Sequence, residues 1–235
     1  AARTRVSSRR LGYARGPATG AQPMPASTLL EEIGRKESDR NAIATAVGRN
    51  AAALSEVLGG LAAAEPSVKY GCAKVLAALS ERDPRALYSR FDEFVALLAS
   101  QNKILRWQAI RIIANLSRVD SEAKLERVLD AYFAPIRGPE LITAANIVKG
   151  AATIASAKPH LTPRIVEELL QVENAEYRTR ECRNVALGHV IEALDSIFEQ
   201  IEDRGAVLRL VGRQQRNTRN ATKRKAERFL RKRGR

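Results

Sequence analysis

From Ser27 onward, apolar residues recur every three or four positions, with polar and charged residues between them. This period is that of an α-helix with one buried face, and no segment of any length alternates between apolar and polar residues as a half-buried strand does. The pattern therefore predicts an all-α chain.

Turn and capping residues, among them Asn102 within the second pair, interrupt this pattern and group the predicted helices into pairs. The pairs begin near Asn50, Pro84, Ser121, Thr162 and Asp203, so that successive starts lie 34, 37, 41 and 41 residues apart. A period of this length is typical of stacked helical hairpins.

Comparison of the sequence with itself supports such a repeat. A shift of 37 residues places residues 68–80 (VKYGCAKVLAALS) over residues 105–117 (LRWQAIRIIANLS), and almost every position matches in kind. Further shifts of 38 and 35 residues bring Ile147 and Cys182 into the same pattern. One amphipathic helix would not produce this recurrence, which indicates a true repeat.

These segments resemble the second helices of HEAT and armadillo repeats, and the resemblance covers about residues 38–232. Asn115 matches the asparagine with which armadillo second helices hold extended peptides. The resemblance implies a single right-handed α-solenoid of about five HEAT-like hairpins with a helical cap before them. It also implies a binding scaffold, since such solenoids present extended concave surfaces to other molecules.

The composition narrows the class of protein. The 235 residues are 45% apolar and 28% charged, which is enough apolar material for a sizeable core. The chain has neither a run of roughly 18 apolar residues nor an apolar signal-peptide core, so we expect a soluble, cytoplasmic protein.

Cys72 and Cys182 lie in apolar helical patterns, and we expect both to be reduced core residues. With only His160 and His189 besides, we expect no metal site and no cofactor.

The formal net charge of +14 is concentrated at the two ends of the chain. Residues 1–26 carry five arginines and no acid, and residues 204–235 carry thirteen basic residues and one acid, which leaves the part between them nearly neutral. We therefore predict a basic disordered arm (1–26), a HEAT-like repeat body (27–203) and a basic helical hairpin (204–235) that caps the solenoid.

The basic arm has three interpretations. Its glycine, proline, serine and arginine residues favour a disordered segment. The absence of acids also suits an organellar transit peptide, which would place the protein in an organellar matrix. Alternatively, the natural chain starts at Met24, the only methionine in the sequence.

The C-terminal hairpin carries the strongest functional signal. Closely spaced like charges repel one another unless an anion compensates them, and arginine suits forked contacts to phosphate. The candidate phosphate contacts are Arg216, Arg219, Lys223, Arg224, Lys225, Arg228, Arg231 and Lys232. The alternatives are a solubilising cap for the solenoid and, less favoured because the apolar stripe is narrow, contact with an anionic membrane.

A second set of candidates is Lys74, Arg111 and Lys149, which occupy equivalent positions on successive second helices and are followed in that column by Asn184. Equivalent positions align along the concave surface of a solenoid. This column could follow a phosphate backbone, or its members could pair with acids of neighbouring repeats.

Few aromatic residues accompany the basic ends, only Tyr13 and Phe229, so we expect contacts to the backbone of RNA or DNA rather than stacking on single-stranded bases.

We do not expect an enzyme, because nucleophile and phosphate-loop motifs are missing. His189 falls in the core-facing column of its helix and is expected to be a satisfied interior residue, and Trp107 is expected to be a packing residue. HEAT-like DNA glycosylases place a carboxylate on a basic concave face, and the basic column holds none, so that activity is a remote alternative.

Two classes of function remain. In the first, the chain is a non-enzymatic adaptor that binds a nucleic acid or ribonucleoprotein through its basic ends and offers its body to a protein partner. In the second, it is a pure protein scaffold. Neither class requires a membrane or a small-molecule substrate, and steep salt dependence of nucleic-acid affinity would distinguish the first from the second.

Overall fold

The computed structural model describes residues 28–234, and within this range the chain forms thirteen α-helices and no strand. The helices are α1 (Thr28–Gly34), α2 (Arg40–Val47), α3 (Ala51–Gly59), α4 (Pro66–Arg82), α5 (Arg85–Tyr88), α6 (Phe91–Leu97), α7 (Lys103–Leu116), α8 (Lys124–Phe133), α9 (Leu141–Ala157), α10 (Thr162–Gln171), α11 (Arg180–Ile197), α12 (Arg204–Gln214) and α13 (Asn220–Arg233). The predicted all-α class is confirmed for this range. The predicted arm, residues 1–26, and Arg235 lie outside the described residues.

Side-chain caps fix several helix starts at the predicted breaks. Asn50 accepts hydrogen bonds from two backbone N–H groups at the start of α3, and Asn102 does the same for α7. Asp203 accepts one from the N–H of Ala206 in α12. Since the first N–H groups of a helix have no partner within it, these polar side chains stabilise the starts that the sequence indicated.

One break does not follow from the periodicity. Helix α5 ends at Tyr88, and α6 begins only at Phe91. At this break the Tyr88 hydroxyl donates a 2.7 Å hydrogen bond to Asp120, and the Tyr88 ring packs edge-on against Phe91. The hydrogen bond to Asp120 reaches 32 residues beyond Tyr88, so the apolar pattern of residues 84–100 alone does not predict the interruption.

The most extensive packing between helices joins α4 to α7, α7 to α9, α9 to α11 and α11 to α13, with α1 and α2 against α4 at the beginning. Side-chain hydrogen bonds also connect neighbouring long helices. The Asn115 side chain donates to Ser80 at 2.9 Å, and the Trp107 ring N–H donates to Thr143 at 2.9 Å. Asn115 is therefore buried in a contact between helices, where it does not present its amide to an extended peptide.

The core between these helices consists almost entirely of aliphatic side chains with a few phenylalanines. Cys72 is fully buried in it, as predicted. Cys182 is only half-buried, so its prediction as a core residue is wrong. It lies in the first turn of α11, next to the exposed turn that precedes this helix.

A buried ion pair connects the middle helices. The Asp120 carboxylate, whose side chain is fully buried, lies 3.1 Å from the Lys158 ammonium and also accepts backbone N–H bonds from Lys124 and Leu125. Burial acts to raise the pKa of Asp120, but the hydrogen bonds from Tyr88, Lys158 and the backbone outweigh it and hold the pKa below its ordinary value. Charge therefore stabilises the packing between α5, α8 and the end of α9.

Candidate nucleic-acid interface

The basic C-terminal helix α13 is held against α11 and α12 by a narrow buried face. Thr222, Ala226 and Phe229 are buried at four- and three-residue spacing along that face. The Phe229 ring meets Phe198 in an edge-on contact with 5.4 Å between ring centroids, and the Thr222 hydroxyl donates a 2.7 Å hydrogen bond to the carbonyl of Asn184. This face fixes which side of α13 points outward.

The turn between α12 and α13 is anchored by amides. The Asn184 side chain donates to Thr218 at 3.0 Å and accepts from Asn217 at 3.2 Å. Asn184 is buried, whereas the sequence placed it in the exposed basic column after Lys149. That placement is wrong because the next helix pair covers the position and satisfies its hydrogen bonds.

One row of cations on α13 faces outward, and we call it the outer row: Arg224, Arg228 and Arg231. All three are exposed, and none forms an ion pair with any described residue. Their spacing of four and three residues places them on one side of the helix, over about 10 Å of its axis. The outer row is thus a linear array of three unneutralised guanidinium groups.

A second row, the inner row, consists of Lys225, Lys232 and Arg233 and faces acids of α11. Lys225 lies 2.9 Å from Glu192, and Lys232 lies 3.0 Å from Asp195. Arg233 contacts Asp195 at 2.8 Å and also pairs with Glu199 in the short turn that follows α11. These cations join α13 to the helix beneath it.

The remaining C-terminal candidates also divide into residues with an acidic partner and residues without one. Arg219 pairs with Glu181 of α11, and Lys223 lies 4.0 Å from Glu227 within α13. Arg216, in the turn before α13, is exposed and has no ion pair with a described residue. The structure therefore brings all eight predicted residues to one end of the chain but leaves only Arg216 and the outer row without an acidic partner among residues 28–234.

The electrostatics of the inner row reflect this pairing. Burial acts to raise the pKa of Asp195, but hydrogen bonds from Arg233 and Lys232 outweigh burial and hold the pKa below its ordinary value. The hydrogen bond with Asp195 in turn raises the pKa of Arg233. Both groups stay charged at neutral pH, and their charges are neutralised inside the protein.

The second set of candidates lies on three consecutively packed helices, with Lys74 on α4, Arg111 on α7 and Lys149 on α9. All three are exposed. Arg111 pairs with Glu81 of α4, so an acid of the neighbouring pair neutralises it. Lys74 and Lys149 have no ion-pair partner among the described residues.

Sequence reasoning missed a concave surface on α12. Arg209, Arg213, Gln215 and Arg216 surround Gly212 and line a depression of about 540 Å³. Arg213 is oriented by Glu173, which accepts a 2.9 Å hydrogen bond from its Nε atom and raises its pKa. The signal in the sequence is the spacing of Arg209, Arg213 and Arg216 by four and three residues, the same spacing as in the outer row.

Two residues outside the basic end bear on the remaining predictions. His189 has a side chain that is 42% exposed, so its prediction as a core residue is wrong. Burial and the charge of Lys225 lower its pKa, which keeps the imidazole neutral at neutral pH. Trp107 is half-buried and donates to Thr143, in line with a packing role.

Among residues 28–234, no group of three or more His, Cys, Asp or Glu side chains is arranged to hold a metal ion. None of the described helices has the length and apolar character needed to cross a membrane.

No family model and no curated protein matches the sequence. The structure is similar to two crystal structures of engineered proteins from the Northeast Structural Genomics Consortium. One has 17% sequence identity and a TM-score of 0.53, and the similarity covers 86% of this chain and 96% of that chain. The other has 16% identity and a TM-score of 0.47, covering 87% and 96% of the two chains. The similarity to the structure with a TM-score of 0.53 shows a related fold and nothing about function.

Proposed function

We propose that the chain is a non-enzymatic HEAT-type adaptor whose last two helices bind the phosphate backbone of a nucleic acid while its body remains open to a protein partner. The observation that carries this proposal is the outer row. Arg224, Arg228 and Arg231 lie unpaired on a helix whose other face has each of its cations matched to an acid of α11. A row of like charges without internal compensation favours an anionic partner.

The dimensions of the outer row suit a nucleic acid. Its length of about 10 Å equals the axial rise of about three phosphates on one strand of a duplex, at about 3.4 Å each. Guanidinium groups form forked hydrogen bonds with phosphate oxygens. Arg209 and Arg216, which have no ion pair with a described residue, add further basic charge at the depression around Gly212. No described aromatic side chain is exposed beside the outer row, which favours backbone contacts over base stacking.

The proposed solenoid rests on the order of packing. The long helices α4, α7, α9, α11 and α13 contact one another in sequence, and each is preceded by one or two shorter helices. This arrangement supports about five HEAT-like hairpins in a right-handed α-solenoid, in which each hairpin contacts its neighbours. Among residues 28–234, α13 packs mainly against α11 and α12, and the cations of its outer row have no acidic partner within that range.

Salt titration of the full chain tests the proposed function. Binding to a duplex DNA and to a structured RNA of equal length is measured by fluorescence anisotropy, for the unmodified chain and for a variant with the outer row replaced by alanine. Each lost phosphate contact reduces the slope of log affinity against log salt by about 0.9 for a duplex. We expect roughly a hundredfold weaker binding at about 0.1 M salt for the triple variant.

A matched variant separates the site from net charge. Its substitutions, Arg82→Ala, Arg85→Ala and Arg127→Ala, remove the same charge at exposed positions that have no ion pair with a described residue. We expect this variant to bind nearly as tightly as the unmodified chain. Equal losses in both variants, or no binding by the unmodified chain at low salt, would exclude the outer row as a specific phosphate site.

A further inference from the structure

A shallow groove of about 580 Å³ runs between α9 and α11, and its α11 wall includes Glu192, the ion-pair partner of Lys225 in α13. Its walls are mainly apolar, with Leu141, Val148 and Val185 among the larger side chains. Alanines at positions 145, 152 and 193 form much of the remaining surface. Because these side chains are small, the two helices leave a depression between them that neighbouring residues do not fill.

Ile142 lies at this groove with 54% of its surface exposed. Among residues 28–234, no other large hydrophobic side chain is exposed. Proteins commonly leave single apolar residues at the surface, but an exposed isoleucine beside an apolar depression forms a continuous patch. The groove and Ile142 together offer an incoming segment apolar surface to bury.

The free charge at the groove is positive. Lys149 is the only charged residue of α9, is exposed, and has no ion pair with a described residue. The one acid in the lining, Glu192, already lies 2.9 Å from Lys225. His189, on the same wall, is neutral at neutral pH because burial lowers its pKa. A carboxylate on an incoming segment would therefore find an unneutralised ammonium at the edge of an apolar groove.

We propose that this groove binds an amphipathic helical segment of a partner protein, with apolar side chains on Ile142 and the alanines and a carboxylate paired with Lys149. Apolar anchors spaced three or four residues apart are the usual way for a helix to occupy such a groove. A nucleic acid fits poorly, since the apolar lining offers its phosphates and sugars few partners. This inference deepens the docking part of the proposed function and does not depend on the arginines of α12 and α13.

A displayed library of random 16-residue peptides, selected on the full chain, tests the proposal. Selected peptides should share apolar residues at spacings of three and four together with at least one Asp or Glu. Their dissociation constants are then measured by fluorescence anisotropy. We expect Ile142→Asn to weaken binding by tenfold or more, and Lys149→Glu to weaken it similarly.

Two controls make the result specific. Lys74→Glu introduces the same charge change at the equivalent, exposed position of α4, outside the groove, and should leave peptide affinity within about twofold of the unmodified value. Replacing the peptide carboxylate by lysine should restore binding to the Lys149→Glu variant. Thermal melts of both groove variants verify that the fold is retained, as is expected for exposed positions.

Three results would overturn the docking proposal. The selection could yield no peptides, or it could yield peptides in which Asp and Glu are not enriched. The third result is a peptide dissociation constant that stays unchanged in both Ile142→Asn and Lys149→Glu. Nucleic-acid affinity of Ile142→Asn should equal that of the unmodified chain. If peptides bind the groove while no nucleic acid binds, the phosphate-binding function fails and the docking site stands. If nucleic acid binds while no peptide binds, the outer row stands as a phosphate-binding site and the groove is not a docking site.

Discussion

The two faces of α13 carry the same kind of residue and have opposite surroundings. Lys232 of the inner row is held by Asp195, whereas Arg231, the adjacent residue, points to solvent without a partner among the described residues. Charge on the inner face joins this helix to α11, and charge on the outer face is left uncompensated. A count of basic residues therefore overstates a binding surface, because only those without an internal acid remain to attract an external anion.

The same contrast occurs between the end of the chain and its middle. Asp120 and Lys158 form a buried pair that joins neighbouring helices, and Arg164 pairs with Asp130 in the same region. The described ion pairs of the body mostly link one helix pair to the next. The outer row departs from this rule because no further helix pair packs against the outward side of α13 within the described residues.

The largest expected effect comes from breaking a buried pair. Asp120→Ala leaves the Lys158 ammonium, whose side chain is 11% exposed, without its buried partner. We expect the free energy of unfolding, measured by urea denaturation, to fall by about 3–5 kcal/mol. Asp83→Ala serves as the control, since Asp83 occupies the equivalent sequence position but is exposed, and it should change stability by about 0.5 kcal/mol or less. Similar losses in both variants would contradict the distinction.

Acid should lower the stability that the ion pairs of Asp120 and Asp195 contribute to the fold. The pKa values of Asp120 and Asp195 lie below their ordinary value of 3.8 in the folded state, so the unfolded chain binds protons first as the pH falls. The stability that these carboxylates contribute is complete above that ordinary value and is lost as the pH falls through the lower folded values.

Urea midpoints measured between about pH 2.5 and pH 6 should show this loss below about pH 4. Asp195→Asn should make the dependence on pH less steep, since one of the carboxylates with a lowered pKa is then absent. An unchanged slope in that variant would show that the inner-row pairing contributes nothing to acid sensitivity.

A smaller effect tests the inner row directly. Asp195→Ala removes the shared partner of Lys232 and Arg233, and we expect a loss of about 1–2 kcal/mol because the site is partly exposed. Glu227→Ala removes an exposed acid of the same helix that lies 4.0 Å from Lys223, and should cost about 0.5 kcal/mol or less. If urea denaturation gives the same loss in the free energy of unfolding for Asp195→Ala and Glu227→Ala, the inner row does not stabilise the packing of α13.

The smallest and sharpest comparison uses adjacent residues. Lys232→Ala should lower the free energy of unfolding by up to about 1 kcal/mol, while Arg231→Ala should leave it nearly unchanged. Nucleic-acid binding should respond in the opposite way, with Arg231→Ala reducing the salt slope by about 0.9. If both substitutions affect stability and binding alike, the division of α13 into two functional faces is wrong.

Helical periodicity predicted the all-α fold and most helix starts because apolar spacing and capping residues act within one or two turns. Three residue assignments failed: Asn184 proved buried, His189 half-exposed and Cys182 half-buried. For Asn184 the reason is a neighbouring helix pair, since its hydrogen bonds go to residues 33 to 38 positions away in sequence. Position within a repeat gives the side of a helix, and the next helix decides how much of that side it covers.

The sequence by itself determined that the chain is helical and that basic residues accumulate at its end, since both are properties of composition and local spacing. Only the tertiary structure decided which of those cations are free. Asp83 and Asp120 are equivalent in sequence, yet only Asp120 is buried against a lysine, and Lys232 and Arg231 are neighbours, yet only Lys232 meets an acid. The physical reason is that charge compensation depends on distances of a few ångströms between helices, and those distances arise when distant segments pack.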